Sequence, residues 1–537
     1  MTTAPVTDQT AATQLLAWQR ILVVCCAMAA LKLAIQIVGN IVAQHAGYGI
    51  FRDEMYYLVC GRHLAFGYVD QPPMVALQAR ITNLLFGFDH MWSLRLLSGV
   101  AGAVKVFITG VLVWMMGGTR RAAALAMLGV IVAGVYLGID GFLSMNSFEP
   151  VFWLPCALAL VRIAQLQGVP GAEPAIRNWW IVLGVSAGLG LENKWNEVFF
   201  LVAALIAVLL TAQRRILASR WFVASIGIIV ALALPNLLWE AHYHWPTLEW
   251  LVGISKSNKD VKLPPLAFLG GQVMMLNPFT FPLWVSGVFW LLFAKAARPL
   301  RFLGVLYPVF LLMMMGLHAK DYYLAPIYAI YYAAGGVCWF RGTPMRMWRN
   351  WLGAAYALLL CLAFVEGVPF SIPVLPPQTF VAYEKMVNFT PKDSENHDAT
   401  ILPQFYADRF GWQEMVEKTA RIYDSLPPQE RAVTGILTDN YGEASAANIL
   451  GRKDGLPVAI SGHQTYWLWG PRGYTGQEMI LITGASPDVL KATYTSCTQE
   501  ATLDNPLSMP WEKKPIWLCR GRIRPYQADW KDFRNYY

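Results

Sequence analysis

The residues of this 537-residue chain that could do chemistry fall at the edges of long apolar runs. The first group, Arg52-Asp53-Glu54-Met-Tyr56-Tyr57, lies just beyond the first such run. A carboxylate placed where a membrane-embedded substrate meets water can act as a general base. The same pair also reads as a solvated helix start, where Asp and Glu gain from the helix dipole. Arg62 and His63 follow at headgroup level, and Asp70-Gln-Pro-Pro73 reads as a turn that ends one helix and starts the next. A second acidic position comes in Ser144-Met-Asn-Ser-Phe-Glu149-Pro150, with Asp140 a little earlier. Pro150 fits a first helical turn, which puts Glu149 at the mouth of a span. A carboxylate at a membrane boundary is costly and therefore a functional candidate, although the helix dipole accounts for it equally well. Lys194 and Lys320 complete the set, the latter opening Lys-Asp-Tyr322-Tyr323-Leu-Ala-Pro326 with His318 just before it. An ammonium can hold a phosphate as a point charge and offset the charge on it as it leaves. Snorkelling at a helix end is the plainer reading of either lysine.

These groups need elements to position them, and composition says which. The chain is 56% hydrophobic and only 14% charged, with 22 Trp and 20 Met. That is too little charge to cover several soluble domains, and it excludes disorder, collagen-like repeats and a disulfide-rich secreted scaffold. Apolar runs long enough to suggest spans cover 21–42, 96–116, 122–139, 151–166, 179–191, 198–211, 221–239, 266–293, 302–317, 324–340 and 351–370, about eleven in all. No cleavable signal precedes the first run, so it is expected to stay as an anchor. With the N-terminus in the cytoplasm, the loops holding Arg120 and Arg121, Arg162 and Arg177, Arg214 to Arg220, Lys295 to Arg301 and Arg341 to Arg349 all lie inside. The net charge of +8 thus becomes an orientation signal, and the candidate site residues share the opposite face. Lys32 and Lys105 sit mid-span and Glu366 within the last span, and sequence alone pairs none of them.

From about residue 375 the chain changes character and carries no spanning run. Helices are expected at 412–426, 444–450 and 487–494, and strands at 433–437, 457–460, 479–482 and 516–519, which alternate as in a small α/β domain. Residues 1–374, with a first outer loop at 44–95, would then be the membrane domain, and 375–537 a soluble α/β domain on the extracytoplasmic, periplasmic side. Cys497 and Cys519 both fall in this domain, and a disulfide and two free thiols both stand as readings.

Taken in order, Arg-Asp-Glu-x-Tyr-Tyr, then Arg62-His-Leu-Ala-Phe-Gly-Tyr-x-Asp-Gln-Pro-Pro73, then Glu149-Pro, Gly188-Leu-Gly-Leu-x-Asn-Lys194 and Lys320-Asp-Tyr-Tyr-Leu-Ala-Pro326 resemble bacterial glycosyltransferase family 39. These are the protein mannosyltransferase-like and lipid A aminoarabinose transferase-like enzymes of the GT-C fold class. Asn440-Tyr-Gly-Glu-Ala-Ser445 and 462–470 also resemble the tail of one bacterial subgroup. The resemblance implies a polytopic α-helical membrane protein, GT-C-like, with about 11 or more transmembrane helices and a C-terminal soluble α/β domain. It implies an inverting transfer from a polyprenyl-phosphate sugar donor to a lipid, glycan or protein acceptor on the outer side of the cytoplasmic membrane. Asp53 would be the base, Glu54 its neighbour in the motif and Glu149 the second acidic position, where the family more often has Asp. Lys194 and Lys320 would engage the lipid phosphate, with Tyr322 or Tyr323 nearby. Tyr57, Arg62, His63, Asp70 and His318 are the further substrate-binding candidates. No cofactor is required by this scheme, no His/Cys cluster demands a metal, and a water-bound divalent cation at Asp53 and Glu149 stays open. A secondary transporter using the same ionisable residues is the rival reading, with Lys32, Lys105 and Glu366 as its strongest support. An outer receptor or scaffold, binding carbohydrate on Tyr466 to Trp469, is a third.

Overall fold

The computed structural model describes residues 8–257, 261–341 and 346–537, apart from 392, 394, 396, 397 and 399. The basic loop expected between Arg341 and Arg349 therefore falls partly outside the described residues. Two compact units emerge. The first comprises 1–42, 92–235 and 262–374, and the second comprises 43–91, 236–261 and 375–537.

The first unit is built from apolar helices. Among the described residues, six helices are long and apolar enough to cross a membrane: Leu16–His45, Leu96–Met115, Met145–Leu166, Arg220–His242, Lys295–Gly316 and Trp351–Phe370. Two bent pairs, Asn196–Leu209 with Ala212–Ala218 and Pro265–Met275 with Pro278–Phe293, raise the number to eight if each is one span. This is a multi-pass membrane protein, with fewer qualifying spans than the eleven apolar runs suggest. The physical reason is length. Helices such as Arg120–Val132 and Tyr328–Arg341, of 13 and 14 residues, are shorter than the hydrocarbon core requires.

Aromatic and small residues divide the packing between them. Trp153 stacks on Phe200 with ring centroids 4.4 Å apart and meets Phe310 edge-on at 5.6 Å. Helices Phe281–Phe293 and Tyr328–Arg341 instead touch through backbone. A Cβ on Gly287 would lie 2.0 Å from the Tyr331 carbonyl oxygen, and one on Gly335 would lie 2.0 Å from that of Leu283. Only glycine permits this approach, a common device where helices pack in lipid.

The mid-span lysines have found a partner. Lys32 and Lys105 each lie 2.9 Å from Asp140, and all three side chains are fully buried. Lys32 also donates to the Tyr136 carbonyl at 2.9 Å, and Lys105 sits 3.9 Å above the Tyr136 ring. Asp140, expected in an outer loop, is thus an interior counter-ion.

The second unit is organised by a five-stranded sheet, in the order β2-β1-β3-β5-β4, made of β1 (Thr434–Thr438), β2 (Ala459–Ser461), β3 (Glu478–Ile482), β4 (Tyr494–Thr502) and β5 (Pro515–Arg522). β1 runs parallel to both β2 and β3, while β5 runs antiparallel to β3 and β4. Helix Tyr441–Ile449 makes the crossover from β1 to β2 that a parallel pair needs. Cys497 on β4 faces Cys519 on β5, and the two are disulfide-bonded. The same unit holds helix Arg52–Arg62, packed on helix Met74–Leu85 where a Cβ on Gly61 would lie 2.9 Å from the Ala76 carbonyl oxygen. Between these helices Tyr68 and Gln71 exchange backbone hydrogen bonds of 3.0 and 3.4 Å, the turn expected at Asp70-Gln-Pro-Pro.

Candidate active site

In the first unit the second acidic position, Glu149, and Lys194 meet. Helix Met145–Leu166 is capped by Ser144, whose Oγ accepts from the Asn146 N–H at 3.2 Å. The helix therefore begins ahead of Glu149, and Pro150 lies inside it, which corrects the first-turn placement. The cap residue outweighs the proline as a start signal, and Pro150 merely leaves the Asn146 carbonyl without its helical donor. This start brings Asn146 and Glu149, three residues apart, onto one helix face.

Lys194 approaches that face from the end of helix Glu173–Asn193. Its Nζ lies 2.7 Å from Asn146 Oδ1 and 3.2 Å from Glu149 Oε2. It also lies 4.5 Å from the Tyr323 ring centroid and 5.6 Å from that of Tyr322. Burial pushes the ammonium below its ordinary range, and the Glu149 carboxylate opposes this. The half-buried Lys320 adds repulsion in the same direction as burial. Glu149 itself is 4% exposed, and its second oxygen accepts from Asn196 Nδ2 at 2.9 Å.

The segment that follows Lys320 is held by its backbone. Gln272 donates to the Asp321 carbonyl at 3.1 Å, Asn196 to that of Tyr323 at 3.2 Å, and Tyr136 to that of Ala325 at 2.5 Å. Tyr322 and Tyr323 meet edge-on at 5.0 Å. His318 is exposed, at a left-handed turn with φ 51°. A buried ammonium beside a second lysine and two tyrosines suits the oxygens of a phosphate.

Asp53 and Glu54 belong to the second unit and have opposite surroundings. Glu54 is fully buried, and its Oε2 accepts from the Phe51 N–H at 2.9 Å, bracing the start of helix Arg52–Arg62. The Asp53 side chain is 29% exposed. Tyr441 donates to its Oδ1 at 2.6 Å, and Arg52 Nε lies 3.4 Å from the same oxygen. Arg52 in turn lies 3.5 Å from Asp408. Asp70 accepts from the Tyr56 hydroxyl at 2.9 Å, and that hydroxyl lies 2.7 Å from Thr465 Oγ1. Burial pushes the Asp70 carboxyl up to about 7, against the Tyr56 hydrogen bond. Tyr57 is buried against the Tyr56 ring. Arg62 donates to the Asn448 carbonyl at 2.9 Å. His63 is exposed, 5.0 Å from the Trp469 ring, and burial with Arg472 and Arg62 keeps its imidazole below the usual range.

Asn196 and Asp408 were not singled out by sequence, and Asn146, Arg52 and Tyr441 stood inside quoted stretches with no role assigned. The two asparagines had a local signal, lying three residues before Glu149 and two after Lys194. Tyr441 lay in the Asn440-Tyr-Gly-Glu motif, but its pairing with Asp53 had no signal, since 388 residues separate the two. Among the described residues, no group of three or more His, Cys, Asp or Glu side chains is placed to hold a metal ion.

Residues 70–239 match the family described as dolichyl-phosphate-mannose-protein mannosyltransferase. The lipid A galacturonosyltransferase RgtD of Rhizobium johnstonii is 26% identical over 244 residues, or 43% of this chain and 47% of RgtD. The chain thus spans about half the length of that curated relative. Two crystal structures of ArnT from Cupriavidus metallidurans, one bound to undecaprenyl phosphate and one in the apo state, have TM-scores of 0.60 and 0.57 at 13% identity. Each match covers 92% of this chain and 97% of ArnT. The overall fold is therefore of the ArnT kind, and the resemblance to family 39 and its GT-C fold class holds.

Proposed function

We propose that this chain is a membrane glycosyltransferase that moves a sugar from a polyprenyl-phosphate donor to an acceptor at the outer face of the bacterial cytoplasmic membrane, with inversion. The acceptor hydroxyl oxygen attacks the anomeric carbon as the carbon–oxygen bond to phosphate breaks. The hydroxyl proton passes to the Asp53 carboxylate, and the bonding pair leaves with the polyprenyl phosphate, whose charge Lys194 and Lys320 offset. Glu149 keeps the buried Lys194 ammonium charged and in place. The observation that carries this reading is the Lys194 cluster, a buried cation gripped by Glu149, Asn146 and two tyrosine rings. It is supported by a fold shared with ArnT, which binds undecaprenyl phosphate. A lipid-carried donor also suits an outer site, because nucleotide sugars are made in the cytoplasm. In this reading the N-terminus is cytoplasmic and the domain at 375–537 is extracytoplasmic. The transporter reading needs Lys32 and Lys105 as ion carriers, whereas both are tied to Asp140.

Asp53→Asn removes the base and keeps its shape. Transfer is expected to fall roughly 10²- to 10⁴-fold, with undecaprenyl phosphate binding by the purified protein unchanged. Near-normal transfer by this variant would remove Asp53 from the role.

A further inference from the structure

The motif Asn440-Tyr-Gly-Glu443 begins helix Tyr441–Ile449, and each of its residues has a discernible task. Asn440 caps the helix, its Oδ1 accepting from the Gly442 and Glu443 N–H groups at 2.8 and 3.1 Å. Glu443 returns the bond, its Oε2 accepting from the Asn440 N–H at 3.2 Å, and its carboxylate pairs with Lys514 at 2.6 Å. Gly442 lets the helix start lie against Arg52, since a Cβ there would come 2.7 Å from Arg52 Cγ. What this scaffold presents is Tyr441, with its ring 4.8 Å from that of Tyr56 and its hydroxyl on Asp53 Oδ1.

Both protein contacts to Asp53 fall on the same oxygen. Tyr441 and Arg52 occupy Oδ1, and among the described residues no protein group bonds Oδ2. A carboxylate held at one oxygen cannot swing, and its second oxygen keeps one direction. We propose that Tyr441 is a positioning residue for Asp53, its hydroxyl proton fixing Oδ1 so that Oδ2 is the oxygen that takes the acceptor's proton. The inference rests on the reading of Asp53 as base. It gives the tail an indirect part in the chemistry, because the hydroxyl that holds Asp53 comes from the crossover helix of its sheet. Burial raises the Tyr441 phenol well above its ordinary range, so the hydroxyl stays protonated and stays a donor wherever the enzyme works.

The test compares wild type, Tyr441→Phe and Asp53→Asn as full-length proteins in lipid nanodiscs. Transfer is followed between pH 4 and 9 with undecaprenyl-phosphate galacturonate, mannose and glucose as donors. Phenylalanine keeps the ring packing, so the fold should survive. The acid limb of kcat/KM in Tyr441→Phe is expected to move up by about one pH unit, the worth of one net hydrogen bond, with KM for the donor unchanged. A uniform loss at every pH with an unmoved acid limb would overturn the proposal. Infrared pH-difference spectra supply a donor-independent reading of the Asp53 carboxyl band, identified by its loss in Asp53→Asn. A band that titrates higher in Tyr441→Phe supports the positioning role, and an unmoved band refutes it. Should Asp53→Asn retain transfer, the base reading fails, while the infrared titration still decides whether Tyr441 holds the carboxylate.

Discussion

Asp53 and Glu54 are neighbours in sequence with different employment. Glu54 is turned inward to satisfy a backbone N–H at the helix start, whereas Asp53 keeps contact with water. A third carboxylate, Asp70, sits between them in character. Its folded value of about 7 lies above the ordinary 3.8, so between these limits the folded protein holds a proton that the unfolded chain has lost. Stability from this group is therefore greatest at low pH, falls as pH rises through that window, and is level above it. Asp70→Asn is expected to flatten the fall in melting temperature between about pH 4 and 7, measured by thermal unfolding of the purified protein. An unchanged slope would show that Asp70 is ionised throughout. At this scale the sequence marked residue types without their surroundings. Asp53 and Glu54 share one motif, and only the path of the chain after Phe51 separates base candidate from brace.

At the scale of elements, legibility followed burial. β1, β2, β3 and β5 carry apolar inward faces and lie within a few residues of the expected strands. β4 was missed because it is an edge strand whose residues are mostly exposed, so Tyr-Thr-Ser-Cys-Thr-Gln-Glu shows little apolar alternation. Its absence from the sequence reading is also why Cys497 and Cys519 could not be paired there. A cross-strand disulfide needs a partner strand, and pairing β4 to β5 puts the two cysteines opposite each other. Denatured, unreduced protein is expected to expose six thiols to iodoacetamide and eight after reduction. Eight thiols without reductant would show the bond to be absent. The start of helix Met145–Leu166 teaches the converse lesson. Pro150 drew attention, yet the Ser144 cap set the boundary, and that shift is what brings Asn146 beside Glu149.

For the whole molecule, composition carried the class, and the distribution of Lys and Arg is the basis for the proposed orientation. The number of spans was less legible, because an apolar run of 13 or 14 residues can fill the interior of a bundle without crossing a bilayer alone. The Lys32–Asp140–Lys105 cluster was illegible for another reason. Charges 35 and 108 residues from their partner share no local pattern, and only a folded bundle pairs them. Orientation yields a direct prediction. Alkaline phosphatase fused after Tyr537 should be active in cells and green fluorescent protein at the same junction dark, whereas the reverse pattern would place the tail in the cytoplasm and remove the outer site.

The contact through Gly287 and Gly335 has a mechanical consequence. Two helices meshed backbone to backbone, each filling the notch the other leaves, have no slack along or across their axes. Phe281–Phe293 and Tyr328–Arg341 must travel as a single rigid strut. Because the Lys320–Ile327 segment runs straight into the second of them, the tyrosines beside Lys194 are anchored to that strut. Any motion that opens this unit is accordingly left to other joints of the bundle.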